Sequence, residues 1–322
     1  MSRCWWLASY PKSGNTWFRM IVANVVAGGD EPVDIDRLPE PVPIASAREA
    51  FDNILLVDSE LLVHAEVDRM RPMLHRFLAE EADDSVVGAQ HRREDADRIA
   101  GAVPLVKTHD GYTRTDRGEP LLGGAAAAPG AILLVRDPRD VAPSLAAHLD
   151  VGIDAAIEFM ADPESSFSGS LETVSNQLRQ QLLGWSAWQA SWLDQRDLPV
   201  HLVRYEDMHA DPLATVAAAL AFTGRRVDAA ALGRAVDLAR FDRLQAREAR
   251  AGFREAPVGR QFFRRGESGG WRRTLSAGQT ARICADHRAM MERLGYQSGS
   301  GVQAGEEDAV STGRRMAGGR RQ

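Results

Sequence analysis

Residues 4–27, CWWLASYPKSGNTWFRMIVANVVA, limit the folds open to this chain more than any other stretch. The apolar run from Cys4 to Ala8 has the length of one buried strand. Residues 9–14 then break the pattern, with Pro11 and Gly14 as turn residues. From Asn15 onward Phe18, Ile21, Val22, Val25 and Val26 recur at helical spacing, which predicts a helix. Strand, tight loop and helix N-terminus together make a phosphate cradle. The first helical N–H groups have no intrahelical partner, and the positive end of the helix dipole attracts an anion. Lys12 adds a charge, and the hydroxyls of Ser13 and Thr16 add donors at the same point.

The loop differs from the common mononucleotide-binding one. That motif, GxxxxGK(S/T), places Lys after its second Gly. Here Lys12 precedes Gly14, and Gly-Lys occurs nowhere in the chain. GxGxxG is absent too, which removes the main cue for a dinucleotide dehydrogenase. HExxH and paired CxxC are missing, so no metal is expected.

Composition narrows the class further. A length of 322 residues suits one large α/β domain or at most two small ones. A net charge of −6 argues against a general nucleic-acid binder, so any basic patch must be local. Two cysteines, Cys4 and Cys284, cannot build a disulfide framework and suit a reducing compartment. The chain enters its first strand at once, without a basic and then apolar leader. The longest apolar run, near 125–135, is cut by Pro129 and Gly130 and is too short to span a bilayer. A cytoplasmic protein with no membrane partner is the expectation. Of the 39 Lys and Arg residues only Lys12 and Lys107 are lysines. An ammonium is a compact point charge where guanidinium is a planar fork, so those two positions call for a point charge.

Further along, 104–108 and 131–135 read as buried strands and 200–204 as a fourth strand, and their alternation with helices implies a doubly wound parallel sheet. His109 then stands at a strand's carboxyl end, where such sheets place their chemistry. Residues 28–50 and 110–130 read as irregular. Residues 59–81 read as largely helical with a break or kink at Pro72, and 85–99 as a short helix. Asp140 is placed to cap a helix after the third strand. A long helix over 171–195 would carry Leu178, Leu182, Trp185, Trp188 and Trp192 on one face, a stripe that reads as core. Helices capped by Asp211 and Ser276 are expected, with two more near 228–238 and 241–250. Residues 251–270 form a Gly- and Arg-containing loop. The end of the chain, 297–322, lacks periodicity and predicts a disordered tail. His148, one turn beyond Ser144, reads as a residue at the surface or behind the site.

These motifs carry a resemblance. YPKSGNTW at 10–17 resembles the 5′-phosphosulfate loop of the cytosolic-type sulfotransferases, written YPKSGTTW, with Asn15 replacing the first Thr. Lys107-Thr108-His109 resembles that family's KTH catalytic segment. RDPRDVAPS at 136–144 is similar to RNPKDVAVS, whose Arg and Ser hold the cofactor's 3′-phosphate. YEDM at 205–208 matches the segment that sets a Tyr near adenine, and RRGESGGWR at 264–272 resembles RKGxxGDWK, which closes over the 3′-phosphate. The five segments keep the family's order and span most of the chain. Gly270 stands where the family has Asp and Arg272 where it has Lys. The Thr-Ser-Phe segment appears as Ala239-Arg240-Phe241, which keeps the ring and loses the hydroxyl.

The resemblance implies a single α/β domain over 1–296, with a central parallel sheet flanked by helices in the P-loop NTPase-like sulfotransferase fold. It implies sulfuryl transfer from 3′-phosphoadenosine 5′-phosphosulfate (PAPS) to a hydroxyl or phenol of a small molecule, without metal. Lys12, Ser13, Gly14, Asn15 and Thr16 would hold the 5′ side. Arg136, Ser144, Arg264, Arg265 and Gly266 would hold the 3′ side, with Trp17, Tyr205 and Phe241 at adenine. Lys12 and Lys107 would stabilise charge building on the leaving phosphate, and His109 would act as general base. Two other readings compete: a nucleotide kinase-like enzyme, disfavoured by the missing Gly-Lys pair, and a nucleotide-binding scaffold without catalysis, disfavoured by the retained Lys107 and His109. The Ala- and Arg-rich, Lys-poor composition suggests a bacterial source, and a secondary metabolite is then the acceptor to expect. No sequence signal bears on oligomeric state.

Overall fold

The computed structural model describes residues 4–34, 44–84, 105–170, 175–253, 255–256 and 261–297. Its strands are β1 (Trp5–Ser9), β2 (Leu105–Thr108), β3 (Ala131–Val135), β4 (Ser166–Phe167), β5 (Gln180–Gln181) and β6 (Val200–Arg204). Four of them form a parallel sheet in the order β2-β1-β3-β6, and β4 and β5 form a separate antiparallel ladder.

Period-2 alternation in β3 shows how the sheet is covered. Ala131, Leu133 and Val135 join one buried cluster with Trp6, Ala8 and Val106. Ile132 and Leu134 join the other with Leu7, Leu105 and Val203. Strands buried on two faces read as unbroken apolar runs, which is why the sequence announces them. The first face packs against Trp185, Trp188 and Trp192 and against Ile283 and Met291 of the helix Ala277–Arg293. The second packs against α1 (Asn15–Ala27) and the helices Pro212–Phe222 and Ala229–Leu238.

Several helix ends fall where side chains predict them. Asp211 and Asp228 accept the N–H groups of Ala214 and Ala231, and Ser276 with Gln279 forms a reciprocal capping box. Other expectations need correction. Among the described residues the helix expected over 171–195 covers only Gly184–Asp194, because Leu183 and Gly184 take positive φ and β5 occupies the preceding stretch. Leu178 and Leu182 are buried in non-helical backbone ahead of it. No break occurs at Pro72: the helix His64–Asp84 runs through it. Proline removes one hydrogen bond there, while buried Arg71, Leu74 and His75 hold the helix on both sides. Asp140 does not cap; Asp137 does, accepting from the Arg139 N–H, with Pro138 as first residue of the helix Pro138–Leu149.

The irregular stretch 28–50 includes the start of a helix, Arg48–Leu55, and 110–130 contains a short 3-10 turn, Gly124–Ala126. The helix Ile153–Ala161 starts at Gly152, which offers no side chain as a start signal. The helix expected at 85–99 and the tail after Gln297 lie outside the described residues. Among the described residues no helix is long and apolar enough to cross a membrane.

One buried ion pair locks the end of β2. Arg71 Nη2 donates to Asp110 Oδ2 at 2.6 Å and Nη1 to Oδ1 at 3.1 Å, and both side chains have zero exposure. Asp110 also accepts the Gln181 N–H at 3.1 Å, so three elements meet immediately after His109. Removing one partner of such a pair leaves a buried charge uncompensated. Arg71→Met should therefore lower the unfolding free energy by about 3–5 kcal/mol in urea titrations. The double change with Asp110→Leu should recover much of it, and a single variant of unaltered stability would contradict this assignment.

Candidate active site

Parallel pairing brings four strand ends to one edge. Ala8 lies beside Thr108, Ser9 beside Leu134, and Val135 beside Arg204. The residues that follow these ends include Lys12, His109, Arg136 and Tyr205, so four separate motifs converge by register alone.

The loop after β1 is built for close backbone approach. Gly14 has φ 96°, and a Cβ there would lie 2.6 Å from the Tyr205 ring, so only Gly fits. Lys12 is held at φ 68°, a strained position for a side-chain-bearing residue. The Ser13 hydroxyl is buried and has no hydrogen-bond partner. Asn15 turns inward, donating through Nδ2 to Leu7 O at 3.3 Å and Ser9 Oγ at 3.1 Å. Its amide thus braces β1, leaving its backbone N–H at the helix start for an anion. Trp17 Nε1 donates to Ala239 O at 3.0 Å, and its ring meets those of Tyr205 and His209 edge-on.

Cations crowd this loop. Burial, with Lys107 and Arg136 close by, pushes the Lys12 ammonium down to about 7. Its Nζ sits 3.9 Å from the Phe262 ring centroid, a contact that offsets part of the desolvation. Lys107 Nζ pairs with Glu255 Oε2 at 3.1 Å, while Glu255 Oε1 accepts from Arg19 at 2.8 Å. Burial works to raise the Glu255 carboxyl, but Lys107 and Arg19 outweigh it and hold it well below the usual carboxylate range. Glu255 gave no sequence signal, because it belongs to a loop without periodicity or motif.

His109 has a defined tautomer. Its Nδ1 lies 2.7 Å from Ser9 O, and a carbonyl can only accept, so Nδ1 carries the proton and Nε2 the lone pair. Trp188 Nε1 donates to His109 O at 2.8 Å and Trp192 Nε1 to Asp110 O at 3.0 Å. The tryptophan stripe is core, as expected, and it also clamps this backbone. Burial first, then Lys107, lowers His109 to about 3, so the imidazole is neutral across the physiological range. His148 is half-buried, its Nδ1 unpartnered, and burial with Lys12 and Lys107 lowers it to about 4. It therefore lies within the field of both lysines.

The second cationic group assembles around Arg136. Its Nη1 donates to Lys12 O and its Nη2 to Glu267 O, each at 3.0 Å, and its guanidinium lies 4.2 Å from the Tyr205 ring centroid. Nε is buried without a partner. Asp140 accepts the N–H groups of Gly269 at 2.6 Å and Trp271 at 2.8 Å, so this carboxylate fastens the 264–272 loop to the helix Pro138–Leu149. Arg264 Nη1 reaches Pro143 O at 3.4 Å, beside half-buried Ser144. Gly266 has φ 61°, and a Cβ there would overlap the Phe241 ring. Arg265, exposed like Arg264, bonds to Thr274 Oγ1 at 2.9 Å. Among the described residues no group of three or more His, Cys, Asp or Glu side chains is placed to hold a metal ion.

The sulfotransferase domain family matches residues 128–295, over half of the chain, and the chain belongs to that family. Among solved structures it is similar to retinol dehydratase in a complex with retinol and PAP, at 16% identity and a TM-score of 0.51, covering 89% of this chain and 80% of that one. It is also similar to a mouse sulfotransferase complexed with PAP, at 16% identity and a TM-score of 0.52, covering 92% and 90%. At that identity the likeness is one of fold, and it agrees with the α/β parallel-sheet architecture expected. A search of curated proteins finds no match.

Buried neutral histidines make stability depend on pH with a definite sign. His109 and His148 lie below the ordinary histidine value when folded, so the unfolded chain binds protons first on acidification. The stability they contribute is complete above about pH 6.5 and is lost as pH falls toward about 3–4. The urea midpoint should drop steadily between pH 6.5 and 5, above the range where carboxylates titrate. A flat midpoint over that window would show these rings charged in the folded protein.

Proposed function

We propose that this sulfotransferase moves the sulfuryl group of PAPS to a hydroxyl or phenol of a small-molecule acceptor, a cytoplasmic reaction on a bacterial secondary metabolite. The observation that carries the donor assignment is the pair of cationic groups on one sheet edge, Lys12 with Lys107 and Arg136 with Arg264. The residues present fit such a donor: the buried Ser13 hydroxyl and Arg136 Nε have no partner within the protein, and Gly14 and Gly266 let the Tyr205 and Phe241 rings pack directly on the two loops. The PAP named with both structural relatives supports the same reading.

When bound, PAPS supplies a sulfur atom whose bond to the 5′-phosphate oxygen breaks as an acceptor oxygen attacks. The N–H groups of residues 13–16 with Lys12 hold the 5′ side. Arg136, Ser144, Arg264 and the Gly266 N–H hold the 3′ side, with Arg265 at its exposed rim. Trp17, Tyr205 and Phe241 flank the base. Lys12 and Lys107 stabilise the negative charge that develops on the leaving phosphate, an electrostatic task. His109 Nε2 takes the acceptor's proton while Ser9 O steadies the charged ring through Nδ1.

Calorimetry with 3′,5′-adenosine bisphosphate and with AMP tests the donor site. The bisphosphate should bind more tightly, and Arg136→Ala should erase most of that difference by removing a charge-assisted contact of about 1.5–3 kcal/mol. Equal affinities in the unaltered protein would remove the 3′-phosphate assignment.

Catalysis is tested separately, by screening hydroxyl compounds for sulfonated products and then assaying His109→Ala. That variant should lose roughly 10²–10⁴ in kcat while binding the bisphosphate almost normally. Turnover at the normal rate would rule out the base, and magnesium-dependent phosphoryl transfer would revive the kinase reading.

A further inference from the structure

Glu255 occupies ground that the donor reading assigns to an anion. Its Oε1 accepts from Arg19 at 2.8 Å, and its Oε2 accepts from Lys107 Nζ at 3.1 Å and from Thr16 Oγ1 at 3.4 Å. Thr16 and Arg19 belong to α1, with Thr16 in its first turn, and Lys107 lies on β2, two residues before His109. A carboxylate bridging a helix's first-turn hydroxyl and two cations has the partners that a phosphosulfate oxygen would seek. Thr16 and Lys107 cannot give their best geometry to both.

The local backbone explains how this side chain is held there. Glu248, buried on the helix Phe241–Ala251, accepts the N–H groups of Phe262 and Phe263, so the chain on both sides of Glu255 is tied to one anchor. Phe262 in turn lies under Lys12 Nζ. The carboxylate, its two cations and the phosphate loop are thus parts of one packed group.

We infer that Glu255 is an internal stand-in for the donor's phosphosulfate, holding Lys107 and Thr16 in the donor-free protein, and that a nucleotide binds by displacing it. This rests on the donor site proposed above. The consequence is selective. A ligand carrying a 5′-phosphate meets the competing carboxylate, and a ligand that fills only the 3′ side does not.

The test compares Glu255→Gln with the unaltered protein by calorimetry, using 3′,5′-adenosine bisphosphate and adenosine 3′-monophosphate. Removing a competing charge from two cations should tighten the bisphosphate by about tenfold or more, while the monophosphate binds both proteins alike. If the amide variant does not fold, Glu255→Asp, which withdraws the carboxylate by one methylene, should tighten the bisphosphate by a smaller factor. Equal or weaker bisphosphate binding in a folded variant would overturn the inference and make Glu255 a support for Lys107. Failure of the unaltered protein to bind the bisphosphate would instead remove the donor site itself, and the inference with it.

Discussion

Mutual repulsion among cations is the constraint that the rest of this structure answers. Lys12, Lys107, Arg136 and Arg264 are close enough that each of the others works to discharge Lys12. At an effective dielectric near 20, two unit charges 4 Å apart repel by about 4 kcal/mol, which several weak contacts must offset. The compensations are visible one by one. Glu255 faces Lys107 and Arg19, Phe262 underlies Lys12, and Tyr205 underlies Arg136. The carbonyls of Lys12 and Glu267 accept from Arg136. A protein with no use for an anion would have little reason to gather these charges at one sheet edge.

Holding such a cluster requires a stiff surround, and the stiffness comes from buried polar contacts tied to the core. Trp188 and Trp192 each spend their one N–H on the backbone of His109 or Asp110. Arg71 then fixes Asp110 from an element far away in sequence. On the other side Asp140 holds two N–H groups of the 264–272 loop, while Arg139 lies 4.2 Å from the Trp271 ring centroid. These contacts need not touch a ligand to matter. They decide whether His109 and Arg136 stand where the strand ends aim them.

Legibility in the sequence followed the physics of each signal. A strand covered on two faces must be apolar throughout, so β3 could be read directly, and Asp211 and Ser276 marked helix starts by their side chains. β6, with His201 and Arg204 in it and Leu202 exposed, carries a weaker signal. Signals that depend on distant partners were silent or misleading. Asp140 looks like a cap because caps are local, yet its carboxylate is taken by a loop some 130 residues later. Leu183 adopts positive φ without the glycine that would advertise it, so the helix at Gly184 seemed longer. Pro72 looked like a break because its cost is local, whereas the burial that overrides it is not. Glu255 lies in no motif, and only the fold brings it to Lys107.

The same lysine links binding to proton transfer. Lys107 is the largest cause, after burial, of the low basicity of His109, and it also faces the proposed sulfuryl end of the donor site. A carboxylate on Lys107 cancels part of its charge, and the pull of Glu255 on His109 is indeed toward higher basicity. Under the proposed function, a dianion on Lys107 would cancel more of its charge than a single carboxylate does and would make Nε2 a stronger base. Burial keeps the ring neutral, and a bound donor's own charge would then raise its affinity for a proton. Basicity would therefore rise at the point where that reaction uses it, with the donor in place.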